Sequence, residues 1–231
     1  MHVAVLVAKQ EQLWQLKGMT KVSKRTEVTY HYAPKQNNKE IEKRNADYIV
    51  MVGEGMEPQG ENWLEELLGF CQERRVGAVS GRIFNKKHKT IHSGMVVSAK
   101  GKVYPLFEGL PEIYRGYCHR ADIPQNVSTL SLDFVLFSRE AWRAAGKFAE
   151  GLSFPAREVD FFARMRECGY EVVVDSKLKV ICKRDAKPDY QMNPDEFSKL
   201  LKRWEEIWRR GDLAYNPNLW EGDAKFTFHR H

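Results

Sequence analysis

The chain has 231 residues, of which 42% are hydrophobic and 29% are charged, and its formal net charge is +6. This length accommodates one α/β domain or two small ones, and the composition excludes a disordered chain. The longest apolar runs, such as "VAVLVA" and "YIVMV", have the length of strands and are too short to cross a bilayer. No secretory signal peptide is recognisable at the amino terminus.

The cysteines and the basic residues exclude two further classes of protein. The four cysteines are scattered and contain no C-x-x-C pair, which argues against a zinc site or a disulfide framework and predicts a cytoplasmic location. The basic residues form small groups interleaved with acids, as at 86–89. Such groups favour a solvated surface or an anionic ligand, so no nucleic-acid partner is predicted.

The first third of the chain alternates strand and helix patterns. A continuously apolar strand over 2–9 precedes a short helix, "QEQLWQLKG", that Gly18 is expected to end. A strand over 27–34, a polar helix "NNKEIEKRNA" and an apolar strand "DYIVMV" follow. This β-α-β-α-β order predicts a parallel sheet with right-handed crossovers.

The third strand runs into the turn Gly53-Glu54-Gly55, which precedes a helix. The carboxyl end of such a strand is where α/β proteins usually hold ligands. The acidic residues of this turn, Glu54 and Glu57, are compatible with a metal site and equally with an ordinary acidic turn.

The later elements follow from the same patterns. They are strands over 77–84 and 90–98, a loop from Lys100 to Gln125, a strand over 130–138, a helix capped by Ser138, a helix over 157–169, the strands "YEVVVD" and "LKVIC", and a tail helix that begins at Asn193-Pro194. The tail helix carries a stripe that is interpreted as packing: Phe197, Leu200, Leu201, Trp204, Ile207 and Trp208. The following "YNPNL" (215–219) is interpreted as a structural turn.

Several phrases occur together in a fixed order: "ENWLEELLGFCQERRVGAVSGRIF", "TIHSGMVV", "NVSTLSLDFVLFSREAWRAAGKF", "REVDFFARMRECGYEVVVD" and "GDLAYNPNL". With them the chain resembles, over about 45–219, the bacterial family 2 glycosyltransferases of the GT-A fold that build surface polysaccharides. The resemblance implies an α/β, GT-A-like domain over 1–185, with a short nucleotide-binding part (1–58) and an acceptor part (59–185). The segment 186–231 would then be a carboxyl-terminal helix and tail packed on the same domain.

The resemblance implies transfer of a sugar from a nucleotide-sugar donor to a hydroxyl of a glycan or glycolipid acceptor, in the cytoplasm or at the inner membrane face. In the family, Mn²⁺ or Mg²⁺ neutralises the diphosphate and is held by an Asp-x-Asp pair at the end of a central strand and commonly by a late His. Here Gly53-Glu54-Gly55 replaces the pair and Cys182 falls near the His position. Glu54 is therefore the one candidate metal ligand, and it is a poor anchor for an octahedral ion.

The family's general base lies in a Glu-Asp pair at the start of a later helix, which is matched here by Arg157-Glu158. Glu158 is the implied base and Asp160 the implied second acid, although both acids equally suit the amino end of a helix. Arg157 is expected to lower the pKa of Glu158, or to clamp a diphosphate in place of the ion.

Two further residues are acceptor-side candidates. His92, in "IHSG", either lies beside the acceptor groove or is a hydrogen-bonded structural histidine. Asp133 interrupts an apolar strand, so it must be paired or face a cleft, where it would contact an acceptor hydroxyl. Tyr32, at the end of the second strand, either stacks on a nucleotide base or packs.

Two functions therefore remain open at the level of sequence. One is an active, inverting glycosyltransferase with Glu158 as its base. The alternative is a catalytically inactive relative that binds glycan or nucleotide, or that scaffolds a partner glycosyltransferase. The altered motifs favour the second function, whereas the overall resemblance favours the first.

Overall fold

A mixed sheet forms the centre of the computed structural model, which describes residues 1–98, 102–186, 188–205, 212 and 214–216. The strands are β1 His2–Val7, β2 Glu27–Tyr32, β3 Tyr48–Val52, β4 Met56–Pro58, β5 Val76–Asn85, β6 Thr90–His92, β7 Met95–Val97, β8 Val103–Pro105, β9 Gln125–Asn126, β10 Phe134–Ser138 and β11 Glu171–Cys182. The helices are α1 Gln10–Met19, α2 Asn38–Glu42, α3 Trp63–Cys71, α4 Arg139–Ala145, α5 Ala156–Glu167 and α6 Pro194–Arg203, and a short 3₁₀ turn spans Tyr117–His119.

The order of the main sheet is β2-β1-β3-β10-β5-β11-β4, with β6 paired to β5 and β9 to β11. Strand β1 runs parallel to β2 and β3, which confirms the predicted parallel opening. Strand β5 runs parallel to β11. Strand β10 is antiparallel to β3, with Phe134 opposite Val52. The residue before β10 therefore lies beside the residue after β3.

The late strands differ from the prediction. The two predicted strands after α5 form one strand, β11, whose register shifts between Asp175 and Lys179. Its carboxyl end pairs with the short strand β4, with Cys182 opposite Met56. This pairing places residues 183–184 against the turn that follows β3, where the Lys183 amide donates to the Gly55 carbonyl at 2.8 Å.

The sheet is covered on both faces, as the apolar strand sequences require. One core cluster, the α4/α5 cluster, packs Ala4 and Leu6 of β1 against those helices, and the α1/α3 cluster packs Val3 and Val5 of the same strand on the other face. A third, the α6 cluster, joins β7, β8 and one side of α5 to Leu200 and Trp204. Within the described residues, no helix combines the length and apolarity needed to cross a membrane.

The predicted helix boundaries hold in part. Ser138 and Asn193 cap α4 and α6 through hydrogen bonds to backbone amides, as predicted. Helix α1 continues through Gly18 to Met19, so the predicted stop was wrong by one residue. The predicted loop over 100–125 contains β8, which pairs with β7.

The packing stripe is confirmed for its described members, of which Leu200 and Trp204 are buried. Ile207, Trp208 and residues 217–219 lie outside the described residues.

Candidate functional site

Two adjoining cavities lie where β1, β3 and β11 end. The inner cavity, of about 300 Å³, is lined by residues that include His92, Glu158 and Tyr190. The outer cavity, of about 390 Å³, is lined by residues that include Lys9, Tyr32 and Glu54. Three side chains line both cavities: Asp133, Arg157 and Arg184.

An ion pair between Asp133 and Arg184 stands at the junction of the two cavities. Asp133 precedes β10 rather than interrupting it, so its predicted position within the strand was wrong, and its side chain is 37% exposed. The expectation that this acid is paired or faces a cleft is met in both respects. Burial of Arg184 disfavours its charged form, but the hydrogen bond and charge of Asp133 outweigh that effect and raise its pKa.

The glycines of the turn after β3 leave room for this ion pair. A Cβ on Gly53 would lie 2.8 Å from Asp133 Oδ1, and one on Gly55 would lie 3.2 Å from Arg184 Cγ. Gly55 also has a φ of +73°, which side-chain-bearing residues rarely adopt. The space beside the backbone of this turn is therefore filled by Asp133 and Arg184.

Gln12, from α1, holds the same turn from the opposite side. Its amide nitrogen donates to the carbonyls of Met56 at 3.1 Å and Gly53 at 3.3 Å. Its carbonyl oxygen accepts from the Gly55 amide at 3.2 Å. Three hydrogen bonds thus fix the turn between the two cavities.

The residues at this turn do not fit the divalent cation that the family pattern implies. Glu54 is 58% exposed and is paired with Lys9 at 3.1 Å. Cys182 is buried at the end of β11, and its thiol is a soft donor that suits neither Mg²⁺ nor Mn²⁺. Among the residues that the structure describes, no three His, Cys, Asp or Glu side chains form a group able to share an ion. The described residues at this turn therefore do not supply the several oxygen ligands that an octahedral ion requires.

Glu158 lies in the first turn of α5 and is only 2% exposed. Arg157 Nη2 donates to its Oε1 at 3.2 Å, whereas no described residue hydrogen-bonds to its Oε2. Burial raises the pKa of Glu158, and the nearby charge of Arg157 does not reverse that shift. Arg157 does lower this pKa, as expected, but the desolvation of the buried carboxylate is the larger effect, so the net shift is upward.

Asp160, the second acid of the same helix, faces away from both cavities. Arg164 Nη2 lies 2.8 Å from its Oδ2, and Arg203 of α6 lies 3.3 Å from its Oδ1. The structure therefore separates Asp160 from Glu158, as the spacing of two residues on a helix requires. Its contacts tie α6 to α5.

The inner cavity is bordered by further buried polar atoms. Among the described residues none hydrogen-bonds to His92 Nδ1, Tyr190 Oη or Arg157 Nε. Burial lowers the pKa of His92 to about 4, so the imidazole is neutral at physiological pH. Buried polar atoms are nearly always satisfied by a partner, so this concentration of open positions around one cavity indicates a place for a polar ligand.

Five of the residues selected by sequence reasoning line this pair of cavities: Glu54, His92, Asp133, Arg157 and Glu158. Sequence reasoning missed Arg184 and Tyr190, which come from the segment after β11. For Arg184 a signal exists, because the basic residues of "VICKRD" follow the late strand at which the family carries a metal ligand. Tyr190 lies in a segment without a periodic pattern.

Comparison with known proteins gives distant relatives. No family model matches the chain. The chain is 23% identical over 190 residues to the uncharacterized protein y4gI of Sinorhizobium fredii, an alignment that covers 79% of the chain and 21% of that protein. It is 25% identical over 190 residues to the O-antigen biosynthesis protein RfbC of Myxococcus xanthus, covering 80% of the chain and 15% of RfbC. The chain therefore spans a small part of the length of the curated relatives that it matches.

Two solved glycosyltransferases share the fold. GalNAc-T7, in a crystal structure with UDP, GalNAc and Mn²⁺, superposes with a TM-score of 0.60 at 10% identity, covering 90% of this chain and 49% of GalNAc-T7. TarS of S. aureus superposes with a TM-score of 0.53 at 11% identity, covering 92% of this chain and 40% of TarS. These similarities confirm the fold class predicted from the sequence: the chain has the GT-A glycosyltransferase fold.

Proposed function

We propose that this protein transfers a sugar from a nucleoside-diphosphate donor to a hydroxyl of a glycan or glycolipid acceptor. The observation that carries the proposal is the pair of cavities that meet at Asp133, Arg157 and Arg184, where Glu158 lines the inner cavity and one of its carboxylate oxygens has no hydrogen-bond partner among the described residues. Transfer between two substrates requires such adjoining sites because the reacting atoms must come within about 3–3.5 Å of each other. The GT-A fold and the similarity to an O-antigen biosynthesis protein support the same function.

The outer cavity suits the donor. Its lining includes four basic side chains (Lys9, Lys35, Arg157 and Arg184) against two carboxylates, so it favours an anion such as a diphosphate. Tyr32 is half exposed at its edge and presents a ring on which a nucleotide base can stack.

The inner cavity suits the acceptor. The neutral imidazole of His92 and the hydroxyl of Tyr190 offer hydrogen bonds to sugar hydroxyls, and Asp133 lies between the acceptor and donor spaces. The packed rings of Phe154 and Tyr190, with centroids 5.6 Å apart, give this cavity an apolar side against which a sugar face can lie.

Glu158 is the proposed general base. Its Oε2 takes the proton of the acceptor hydroxyl while the acceptor oxygen attacks the anomeric carbon, the bond from that carbon to the phosphate oxygen breaks, and the nucleoside diphosphate leaves beside Arg157. This direct displacement inverts the anomeric centre. Because burial raises the pKa of Glu158, its carboxylate is a stronger base than an exposed glutamate.

The first test is a thermal-unfolding panel with UDP, GDP, CDP and dTDP, followed by an assay of nucleoside-diphosphate release from the matching sugar donor. A nucleotide at roughly 100 times its dissociation constant should add about 2.7 kcal/mol to the free energy of unfolding. Glu158→Gln should keep this stabilisation and reduce release by about 10²–10⁴-fold. Glu167→Gln, an exposed glutamate on the same helix, is the matched control and should change neither.

A second candidate function has a specific observation in its favour. Arg157 holds Oε1 of Glu158 at 3.2 Å, an arrangement that also suits a binding protein without turnover. Nucleotide or glycan binding with equal, background release by wild-type protein and Glu158→Gln would favour that inactive relative. Failure of every nucleotide to bind would contradict the proposed donor site.

A further inference from the structure

We infer that the guanidinium of Arg184, fixed by Asp133, takes the place of the divalent cation, so that the protein binds the donor diphosphate without metal. The inference rests on the proposed function and names the group that holds the diphosphate. It goes beyond the sequence expectation, which named Arg157 but not Arg184.

The position of Arg184 follows from the strand pairing. Cys182 of β11 pairs with Met56 of β4, and the Lys183 amide donates to the Gly55 carbonyl. Arg184, the next residue, therefore lies against the turn at which the family pattern places its Asp-x-Asp pair. Arg184 Cγ would lie 3.2 Å from a Cβ on Gly55.

Asp133 anchors this cation. It reaches the same point because β10 runs antiparallel to β3, and the Gly53 amide donates to its carbonyl at 2.6 Å. Its carboxylate accepts a hydrogen bond from Arg184 Nη2. A guanidinium has five N–H donors, so an anchored Arg184 still presents donors to phosphate oxygens.

The surrounding charges favour the same assignment. Arg184 and Arg157 line both cavities, at the place where the scissile bond must lie if donor and acceptor occupy one cavity each. Glu54, the carboxylate between Gly53 and Gly55, is exposed and forms an ion pair with Lys9. Because planar arginine donors match phosphate geometry, two arginines at this junction supply the positive charge that an ion would otherwise provide.

The test is isothermal titration of the full chain with UDP, GDP, CDP and dTDP, and with inorganic pyrophosphate as a diphosphate without a base. Each titration is made in excess EDTA and again in Mn²⁺. We expect the nucleotide that binds to do so equally well under both conditions. Arg184→Ala should weaken its affinity in EDTA by roughly 10- to 100-fold, because a charge-assisted hydrogen bond is lost.

Two further variants keep the test independent of folding defects. Arg184→Lys retains the charge beside Asp133 but loses the planar donors, so we expect a smaller but measurable loss of affinity. Lys183→Ala is the matched control, since Lys183 is the neighbouring cation and pairs with Glu57 at 3.1 Å outside both cavities. Its affinity should equal that of the wild type.

The outcomes separate the inference from the function on which it rests. Binding that requires Mn²⁺ would overturn the inference while leaving the proposed glycosyl transfer intact. Binding in EDTA that neither Arg184 variant weakens would remove Arg184 from the diphosphate site. No binding of any nucleotide with or without Mn²⁺ would overturn both.

Discussion

At the scale of single residues, Glu158 links the proposed chemistry to stability. Its pKa is raised above the ordinary value of 4.5 by burial, so the folded protein holds this proton more tightly than the unfolded chain does. The associated stability is complete below that ordinary value and is lost as the pH rises through the raised pKa. Glu158→Gln, which cannot ionise, should therefore have a higher Tm than the wild type at neutral pH. The difference should shrink as the pH falls towards 4.5, as measured by thermal unfolding across that range.

Glu112 provides a control, because its pKa shift has the opposite sign to that of Glu158. Hydrogen bonds from Lys179 Nζ at 2.5 Å and His88 Nδ1 at 2.7 Å lower its pKa. The stability from this acid is present above its ordinary pKa and is lost as the pH falls through the lowered one. Glu112→Gln should thus be less stable than the wild type at neutral pH. If Glu158→Gln were also less stable than the wild type at neutral pH, that result would contradict the conclusion that burial raises the pKa of Glu158.

At the scale of secondary-structure elements, the end of β3 and the start of β10 approach closely. We therefore expect even a small substitution at this contact to lower the free energy of unfolding. A methyl group at Gly53 would lie 2.8 Å from Asp133 Oδ1 and 3.0 Å from its backbone oxygen. We expect Gly53→Ala to lower the free energy of unfolding by about 1–3 kcal/mol, because the ion pair keeps Asp133 from moving aside. Gly69→Ala in α3 meets no atom within 4 Å and should raise stability by about 0.5–1 kcal/mol. Urea denaturation distinguishes the two, and an unchanged Gly53→Ala would show that Asp133 is free to shift.

The same elements show how much of the fold could be predicted from the sequence. The β-α-β-α-β opening was predictable because β1 and β3 are continuously apolar, β2 is rich in β-branched and aromatic residues, and the helices are short and local. Strand β11 was predicted as two strands because polar residues occupy its register shift, and in the structure two of these residues are hydrogen-bonded outside the strand ladder. Ser176 Oγ donates to the Ile123 carbonyl at 2.9 Å, and the Lys177 amide donates to Asp175 Oδ1 at 3.0 Å.

The candidate site was predictable where this chain keeps a carboxylate at a position of the family motif, as it does at Glu158. Arg184 was missed because its place depends on the pairing of β11 with β4, a contact between residues far apart in the chain. The sign of the pKa shift of Glu158 was missed because a sequence shows its charged neighbour Arg157 but not its burial. Both errors concern long-range packing, which local patterns do not encode.

At the scale of the whole molecule, the three core clusters share elements and should unfold together. Helix α5 contributes Phe161 to the α4/α5 cluster and Val159 to the α6 cluster, while Tyr190 of the inner cavity belongs to the α6 cluster. We expect Leu200→Ala to cost about 2–5 kcal/mol as a buried truncation, and so to lower the Tm by roughly 5–15 °C. Its transitions by far-UV circular dichroism and by tryptophan fluorescence should shift together, because Trp63, Trp142 and Trp204 report on the three clusters.

The exposed neighbour Lys199 supplies the matched control for this cooperativity, and Lys199→Ala should leave both transitions in place. If α6 instead formed an independent unit, Leu200→Ala would split the fluorescence transition from the transition of the sheet. Coincident shifts would place the carboxyl-terminal helix on the same cooperative domain as the sheet, as expected from the sequence. Since Tyr190 borders the inner cavity, a loosened α6 cluster should then also weaken binding on the acceptor side while leaving nucleotide affinity unchanged.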